Sequence, residues 1–138
     1  MDNILVEKIY DEEELLELKI VASNEYVNVI QNCYMSKTFL AQNANKLIEY
    51  TRNPGIECYL NFGEKKGEYT PAFSMNLFSA DKCGHVKIEM DMEIDDNNER
   101  RHRCSFYVRA ELGLVENFGK GLIFLIDADL GSKISIEC

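Results

Sequence analysis

The sequence has no tryptophan, only two prolines and eight glycines in 138 residues, and no C-x-x-C pair among its five cysteines. Each scarcity removes a class of protein. So few breaker residues, set among apolar and aromatic residues that recur along the whole length, argue against a disordered or low-complexity chain. Cysteines that are odd in number and widely spaced, at 33, 58, 83, 104 and 138, form no disulfide framework and read as reduced thiols in a cytosol. The N-terminus, Met1-Asp2-Asn3-Ile4-Leu5-Val6-Glu7-Lys8, lacks the basic and apolar regions of a secretory signal. The longest uncharged apolar run, Gly121 to Ile126, is far short of the ~18 residues a membrane helix needs. The expectation is a single cytoplasmic domain over residues 1–138, without a membrane partner.

Positive charge is scarce as well. Against 24 acids there are 15 Lys and Arg, a net charge of −9. A nucleic-acid binder needs a basic face for phosphate, so nucleic acid is excluded as the expected partner and a basic protein is favoured. The charge is also local: the first 17 residues hold Asp2, Glu7, Asp11, Glu12, Glu13, Glu14 and Glu17 against Lys8 alone, a net of −6.

Apolar periodicity is clear along most of the chain. Ile4 to Tyr10 reads as a short strand, with a turn over Tyr10 to Glu14. Leu16, Leu18, Ile20 and Ala22 then alternate with Glu17, Lys19, Val21 and Ser23 as a half-buried strand. Over Tyr26 to Met35 the apolar residues change phase, Val27 and Val29 against Ile30 and Tyr34, which predicts a bulge near Ile30. Ser36 is a good N-cap for a helix carrying Phe39, Leu40, Ala44, Leu47 and Ile48, stopped by Asn53-Pro54-Gly55. Strands follow at Glu57 to Phe62 and Phe73 to Phe78, with a polar loop over Gly63 to Gly67, Pro71 ending the connection, and a turn over Asp81 to Gly84.

The strongest alternation is Val86, Ile88, Met90, Met92 and Ile94 against Lys87, Glu89, Asp91, Glu93 and Asp95. After the reversal Asp95 to Arg100, Cys104, Phe106 and Val108 take the inward phase of a return strand, completing a long hairpin. A second helix is expected over Ala110 to Ile126. Its Gly113, Gly119 and Gly121 each cost roughly 0.5–1 kcal/mol relative to alanine and imply close packing against the sheet. A last strand spans Ser132 to Cys138. The predicted fold is α+β: a twisted antiparallel sheet of about seven or eight strands with two amphipathic helices on one face. Strand, strand, helix, strand occurs twice, over 15–62 and 85–138, an order consistent with structural duplication.

The polar residues form no catalytic constellation. Glu89, Asp91 and Glu93 share a strand face, but i, i+2 residues of any strand lie at the separation of a glycosidase pair, so a solvated, salt-bridged face is favoured. Cys83 and His85 lack the second ligand pair of a zinc site, and neither is marked as a nucleophile or base. Gly113, Gly119 and Gly121 match neither a Walker nor a dinucleotide pattern. Arg100-Arg101-His102-Arg103 faces acids on the neighbouring strand, and with only Phe106 and Tyr107 nearby for stacking it makes a poor RNA surface. No cofactor, metal or catalytic residue is expected, and binding is favoured over catalysis.

Three segments carry a family resemblance: Gly84-His85-Val86-Lys87-Ile88-Glu89-Met90, Cys104-Ser105-Phe106-Tyr107-Val108-Arg109-Ala110-Glu111-Leu112, and Leu114-Val115-Glu116-Asn117-Phe118-Gly119-Lys120-Gly121-Leu122. Over about residues 84–138 the chain resembles small bacterial immunity proteins of polymorphic, contact-dependent toxin systems, the WapI-type immunity family. In that family a long hairpin leads through Glu-Leu into a helix with Phe-Gly, and a short strand closes the chain. The resemblance implies a cytosolic, non-catalytic protein that binds and neutralises a toxin domain. It assigns no contact residue. Charge alone nominates Asp11, Glu12, Glu13 and Glu14 near the N-terminus and Glu89, Asp91 and Glu93 on the hairpin as the surface for a basic toxin domain. Two other classes stay open: a regulatory or scaffold domain binding protein or peptide through a sheet edge, and a small-molecule or enzymatic domain with a dispersed site. Monomer and homodimer are equally compatible with the sequence.

Overall fold

The computed structural model of the chain describes residues 2–63, 72–94 and 102–137. Most of the expected polar loop after Gly63, with Pro71, the reversal at Asp95 to Arg100, Arg101 and Cys138 lie outside the described residues. The element order is β1 (Asn3–Glu12), β2 (Leu15–Ser23), β3 (Asn28–Ser36), α1 (Lys37–Arg52), β4 (Cys58–Phe62), β5 (Ala72–Leu77), β6 (His85–Ile94), β7 (His102–Glu111), α2 (Leu112–Asp127) and β8 (Lys133–Glu137). The fold is α+β, as the alternation predicts. Its eight strands are divided between two four-stranded sheets, ordered β3-β2-β1-β8 and β4-β5-β6-β7, with antiparallel pairing throughout.

That order makes the repeat explicit. Each half of the chain is three strands, a helix and a strand, so the unit is one strand longer at its front than the sequence suggests. The fourth strand of each half leaves its own sheet and pairs beside the first strand of the other: β8 on β1, β4 on β5. The buried residues of α1 are Leu40, Asn43, Ala44, Leu47 and Tyr50. Those of α2 are Val115, Phe118, Gly119, Leu122 and Leu125, each 75 positions later (115 − 40 = 75). Two connections repeat as well. The Lys37 N–H donates to the Glu14 carbonyl at 2.9 Å, and the Leu112 N–H donates to the Gly84 carbonyl at 3.0 Å, tying each helix start to the first turn of its own half.

The helices meet where their counterparts meet. A Cβ on Gly119 would lie 3.1 Å from Ile48 Cγ1, 3.3 Å from Leu47 Cβ and 3.4 Å from the Ala44 carbonyl, so Ala44 and Gly119 mark a pseudo-two-fold contact between α1 and α2. Gly121 instead lets α2 approach β8, where a Cβ would come within 2.8 Å of Ile134 Cγ2. Packing on the sheet therefore explains Gly121, packing on the other helix explains Gly119, and Gly113 has open space around it. One core joins the inward phases of both sheets to both helices, among them Val6, Leu18, Leu60, Met75, Ile88, Val108 and Leu122.

Two local expectations need correction. β2 and β3 pair without interruption from Ser23↔Asn28 to Leu15↔Ser36, so no bulge occurs at Ile30. The phase change arises because β3 is apolar on both faces, with Cys33 and Met35 buried and Ile30 and Tyr34 exposed. The register shift lies in β1, between Lys8 and Tyr10. The second correction is the start of α2, at Leu112 rather than Ala110, because β7 continues pairing with β6 to Glu111.

The bulge in β1 serves a buried cation. Lys8 occupies the inward phase after Ile4 and Val6, is fully buried, and is the charged residue among the buried polar side chains, with Gln31, Asn43 and Ser74. Its Nζ donates to the carbonyls of Ile126 at 3.0 Å and Ala128 at 2.7 Å, and pairs with Asp11 at 2.8 Å. An ammonium has three donors, and all three are used. The first two sit at the C-terminal end of α2, where unpaired carbonyls and the helix dipole favour a cation. The backbone of Lys8 also exchanges hydrogen bonds with Ser132 and Gly131, in the turn before β8.

Two expected outcomes follow from this packing. Gly121→Ala should destabilise the fold by roughly 1–3 kcal/mol through overpacking on Ile134, whereas Gly113→Ala should stabilise it by about 0.5–1 kcal/mol; thermal unfolding of the two variants should shift in opposite directions. Lys8→Met, close in shape but without donors, should cost about 3 kcal/mol or more, because it leaves two carbonyls at a helix end unpaired. Urea denaturation measures this directly.

Candidate functional site

The seven nominated acids fall into two groups of different character, on different sheets. Glu89, Asp91 and Glu93 line the outer face of β6. Directly opposite them on β7 stand Tyr107, Ser105 and Arg103. Asp91 accepts two hydrogen bonds from the Arg103 guanidinium, the first at 2.9 Å, and the pairing holds the arginine pKa well above its ordinary value. Glu89 accepts from the Tyr107 hydroxyl at 3.1 Å, which raises the phenol pKa. Cross-strand partners thus engage this face much as the sequence implies.

The other group sits at the β1–β2 turn. Glu12 and Leu15 pair, so Glu13 and Glu14 form a two-residue hairpin connection. Such turns need left-handed backbone and favour Asn-Gly or Asp-Gly. Here Glu13 takes φ 37°, and it is the sole non-glycine residue with positive φ among the described residues. Asp11 points back to Lys8 at 2.8 Å and Lys37 at 3.0 Å; hydrogen bonds from these two ammonium groups, Lys8 foremost, hold its carboxyl below the usual range. Glu12 accepts from the Tyr10 hydroxyl at 3.2 Å. Among the described residues no cation pairs with Glu12, Glu13 or Glu14. All five residues from Asp11 to Leu15 are exposed.

Apolar groups flank the turn. Across the sheet, Tyr10 and Tyr34 stand on either side of Glu17 in one row, and Leu15 is opposite Ser36. Tyr10, Tyr34, Leu15 and Phe39 are all substantially exposed. Below them a cleft of about 500 Å³ is lined by Leu15, Tyr34, Ser36, Phe39 and Asn61. Ser36 caps α1, its hydroxyl accepting from the Phe39 N–H at 3.0 Å. This cap sets the Phe39 ring beside the turn. The exposure of Tyr34 was written in the phase change of β3; Leu15 and Phe39 carried no signal apart from the core pattern.

Of the residues weighed for catalysis, Cys83 and His85 are held by Asp81 in the β5–β6 turn. Asp81 accepts from the N–H groups of His85 and Cys83 at 2.9 and 2.8 Å and from His85 Nδ1 at 3.0 Å, which closes the β5–β6 turn; these contacts, led by the His85 N–H, lower its pKa. The cavity beside His85 includes Asp81 but none of Cys83, Asp127 or Asp129. Burial pushes the Cys33 thiol up to about 12, away from nucleophilic reactivity. Among the described residues no three His, Cys, Asp or Glu side chains group as metal ligands, and no helix is long and apolar enough to cross a membrane.

The Asp11 pairing gives acid sensitivity with a defined sign. A carboxyl whose folded pKa is depressed contributes stability above its unfolded pKa, about 3.9, and loses it as pH falls through the lower folded value. Asp11→Asn should therefore lower the melting temperature at pH 7, and the decrement should shrink as the pH falls below about 3.9; a decrement that does not change with pH would remove the pairing as its cause. Comparison of the chain with protein-family models, with curated proteins and with solved structures finds no match in any of the three.

Proposed function

We propose that this chain is a cytosolic immunity protein that binds and neutralises a cognate bacterial toxin domain, using the acidic β1–β2 turn against a basic surface of the toxin. The observation that carries the reading is the turn itself. A two-residue hairpin that favours glycine instead presents consecutive glutamates, one of them in left-handed backbone at a cost of about 1 kcal/mol. Local rules of this kind are broken where function requires it. Three carboxylates without cation partners among the described residues then project beside exposed Tyr10, Leu15 and Tyr34, the combination of steering charge and aromatic anchors typical of a protein interface. The resemblance over 84–138 agrees with a binding role.

The acids of β6 contribute less on this reading, because Asp91 and Glu89 are engaged by Arg103 and Tyr107. Their role is to shape the sheet face.

Co-expression with the toxin domain encoded beside this chain should yield a complex and suppress the toxin's activity, and absence of a complex at micromolar concentration would sink the proposal. Within the complex, Glu12, Glu13 and Glu14 changed together to Lys should slow association by tenfold or more and flatten its salt dependence. Glu89→Gln should leave the association rate within about twofold of wild type. Glu13→Gly separates stability from binding: it should stabilise the free protein by about 1 kcal/mol while weakening the complex.

A further inference from the structure

We infer that the cleft at the base of the acidic turn is an anchor pocket for one arginine side chain of the partner. This rests on the reading of the chain as a binder of a basic protein, and it specifies what that partner inserts. Three features of the cleft converge on a guanidinium. Two aromatic rings, Tyr34 and Phe39, line it and are about half and about one-third exposed, at 49% and 37%. Aromatic faces attract cations, and a planar guanidinium stacks on them where an ammonium cannot. The apolar wall from Leu15 covers the aliphatic stem of such a side chain while its head stays polar.

The second feature is charge. The Glu14 carbonyl accepts from the Lys37 N–H, and Leu15 pairs with Ser36, so the turn bearing Glu12, Glu13 and Glu14 is fixed at the rim of the cleft. Lys37, at the start of α1, is already paired with Asp11. A cationic side chain entering the cleft therefore meets carboxylates that have no cation partner among the described residues. An anionic or purely apolar side chain gains nothing from that rim.

The third feature is an orphaned acceptor. Asn61, on β4, lines the same cleft, and its Oδ1 is buried with no hydrogen-bond partner among the described residues. Its own carbonyl accepts from the Asn43 amide at 2.9 Å, which fixes the strand beneath the cleft. A buried acceptor without a donor is an unfavourable arrangement that an incoming donor relieves. The five N–H groups of a guanidinium satisfy a carbonyl-type acceptor and a carboxylate together.

The test uses N-acetyl-arginine amide as probe, titrated into the isotope-labelled full chain and followed by amide chemical shifts. Saturable shifts should centre on Leu15, Tyr34, Phe39 and Asn61, and should be at least threefold weaker with N-acetyl-lysine amide and absent with N-acetyl-citrulline amide, which keeps the shape without the charge. Phe39→Ala should weaken the arginine response at least threefold, and Tyr34→Leu, which keeps the strand's packing, should do the same. Shifts confined to Glu12, Glu13 and Glu14, or equal responses to arginine and lysine, would overturn the pocket while leaving the acidic turn as a steering surface. Arginine binding in the cleft by a chain that fails to bind or inhibit the toxin would keep the pocket and remove the immunity reading.

Discussion

A single buried ammonium fixes the relation between the two halves of this fold. Lys8 belongs to β1, yet two of its three donors close the end of α2, and its backbone holds the turn that sends the chain into β8. The strand that completes the first sheet is thus delivered by the second half and positioned by a side chain of the first. Burying a lysine is costly unless every donor is used. Here the helix end, which would otherwise present unpaired carbonyls, supplies two of the acceptors. The third, Asp11, lies at the beginning of the acidic turn and joins Lys8 to Lys37 at the start of α1. Sheet, both helices and turn are linked through one charge.

The exchange of fourth strands makes the two halves mutually dependent. Neither four-stranded sheet is complete without a strand from the other half, and the helices cross where Ala44 faces its counterpart Gly119. Small residues at this point let the helix backbones approach. The symmetry is geometric rather than chemical: position 43 buries an asparagine that supports β4, and position 118 buries a phenylalanine. β8 also breaks the repeat, since its buried residue is Ile136 while β4 buries Cys58, Leu60 and Phe62. The face of the last strand therefore shifts by one residue, alongside the closer approach permitted by Gly121.

Much of this was legible in the sequence because period-two and period-3.6 patterns report burial directly. The strand of Val86 to Ile94 and the helix capped by Ser36 are cases where pattern and structure coincide. The division into two sheets was not legible, since alternation says which face of a strand is buried but not which strand lies beside it. β8 illustrates this: its nearest strand in sequence is β7, but its partner is β1. Lys8 was hidden for a related reason. It continues the phase of Ile4 and Val6, but a lysine at such a position reads as surface charge unless a helix end is known to be waiting. Among the nominated acids, alternation alone does not separate those held by cross-strand partners from those left at the turn, because that distinction depends on register.

The symmetry itself singles out the acidic turn. Glu14 and Gly84 occupy corresponding places, each offering its carbonyl to the first N–H of the following helix. In the second half the turn is relaxed: Gly84 supplies the positive φ at 82° without steric cost, and Asp81 closes the loop through two backbone N–H groups. In the first half the same structural task is done by Glu13 and Glu14, without a glycine. Folding alone would be served by the second solution in both places. The difference between two turns that have the same job is what the proposed role accounts for: consecutive carboxylates beside an aromatic cleft are the chemistry that a binder of a basic partner would use, and the second turn, built for folding with a glycine, has no such pair.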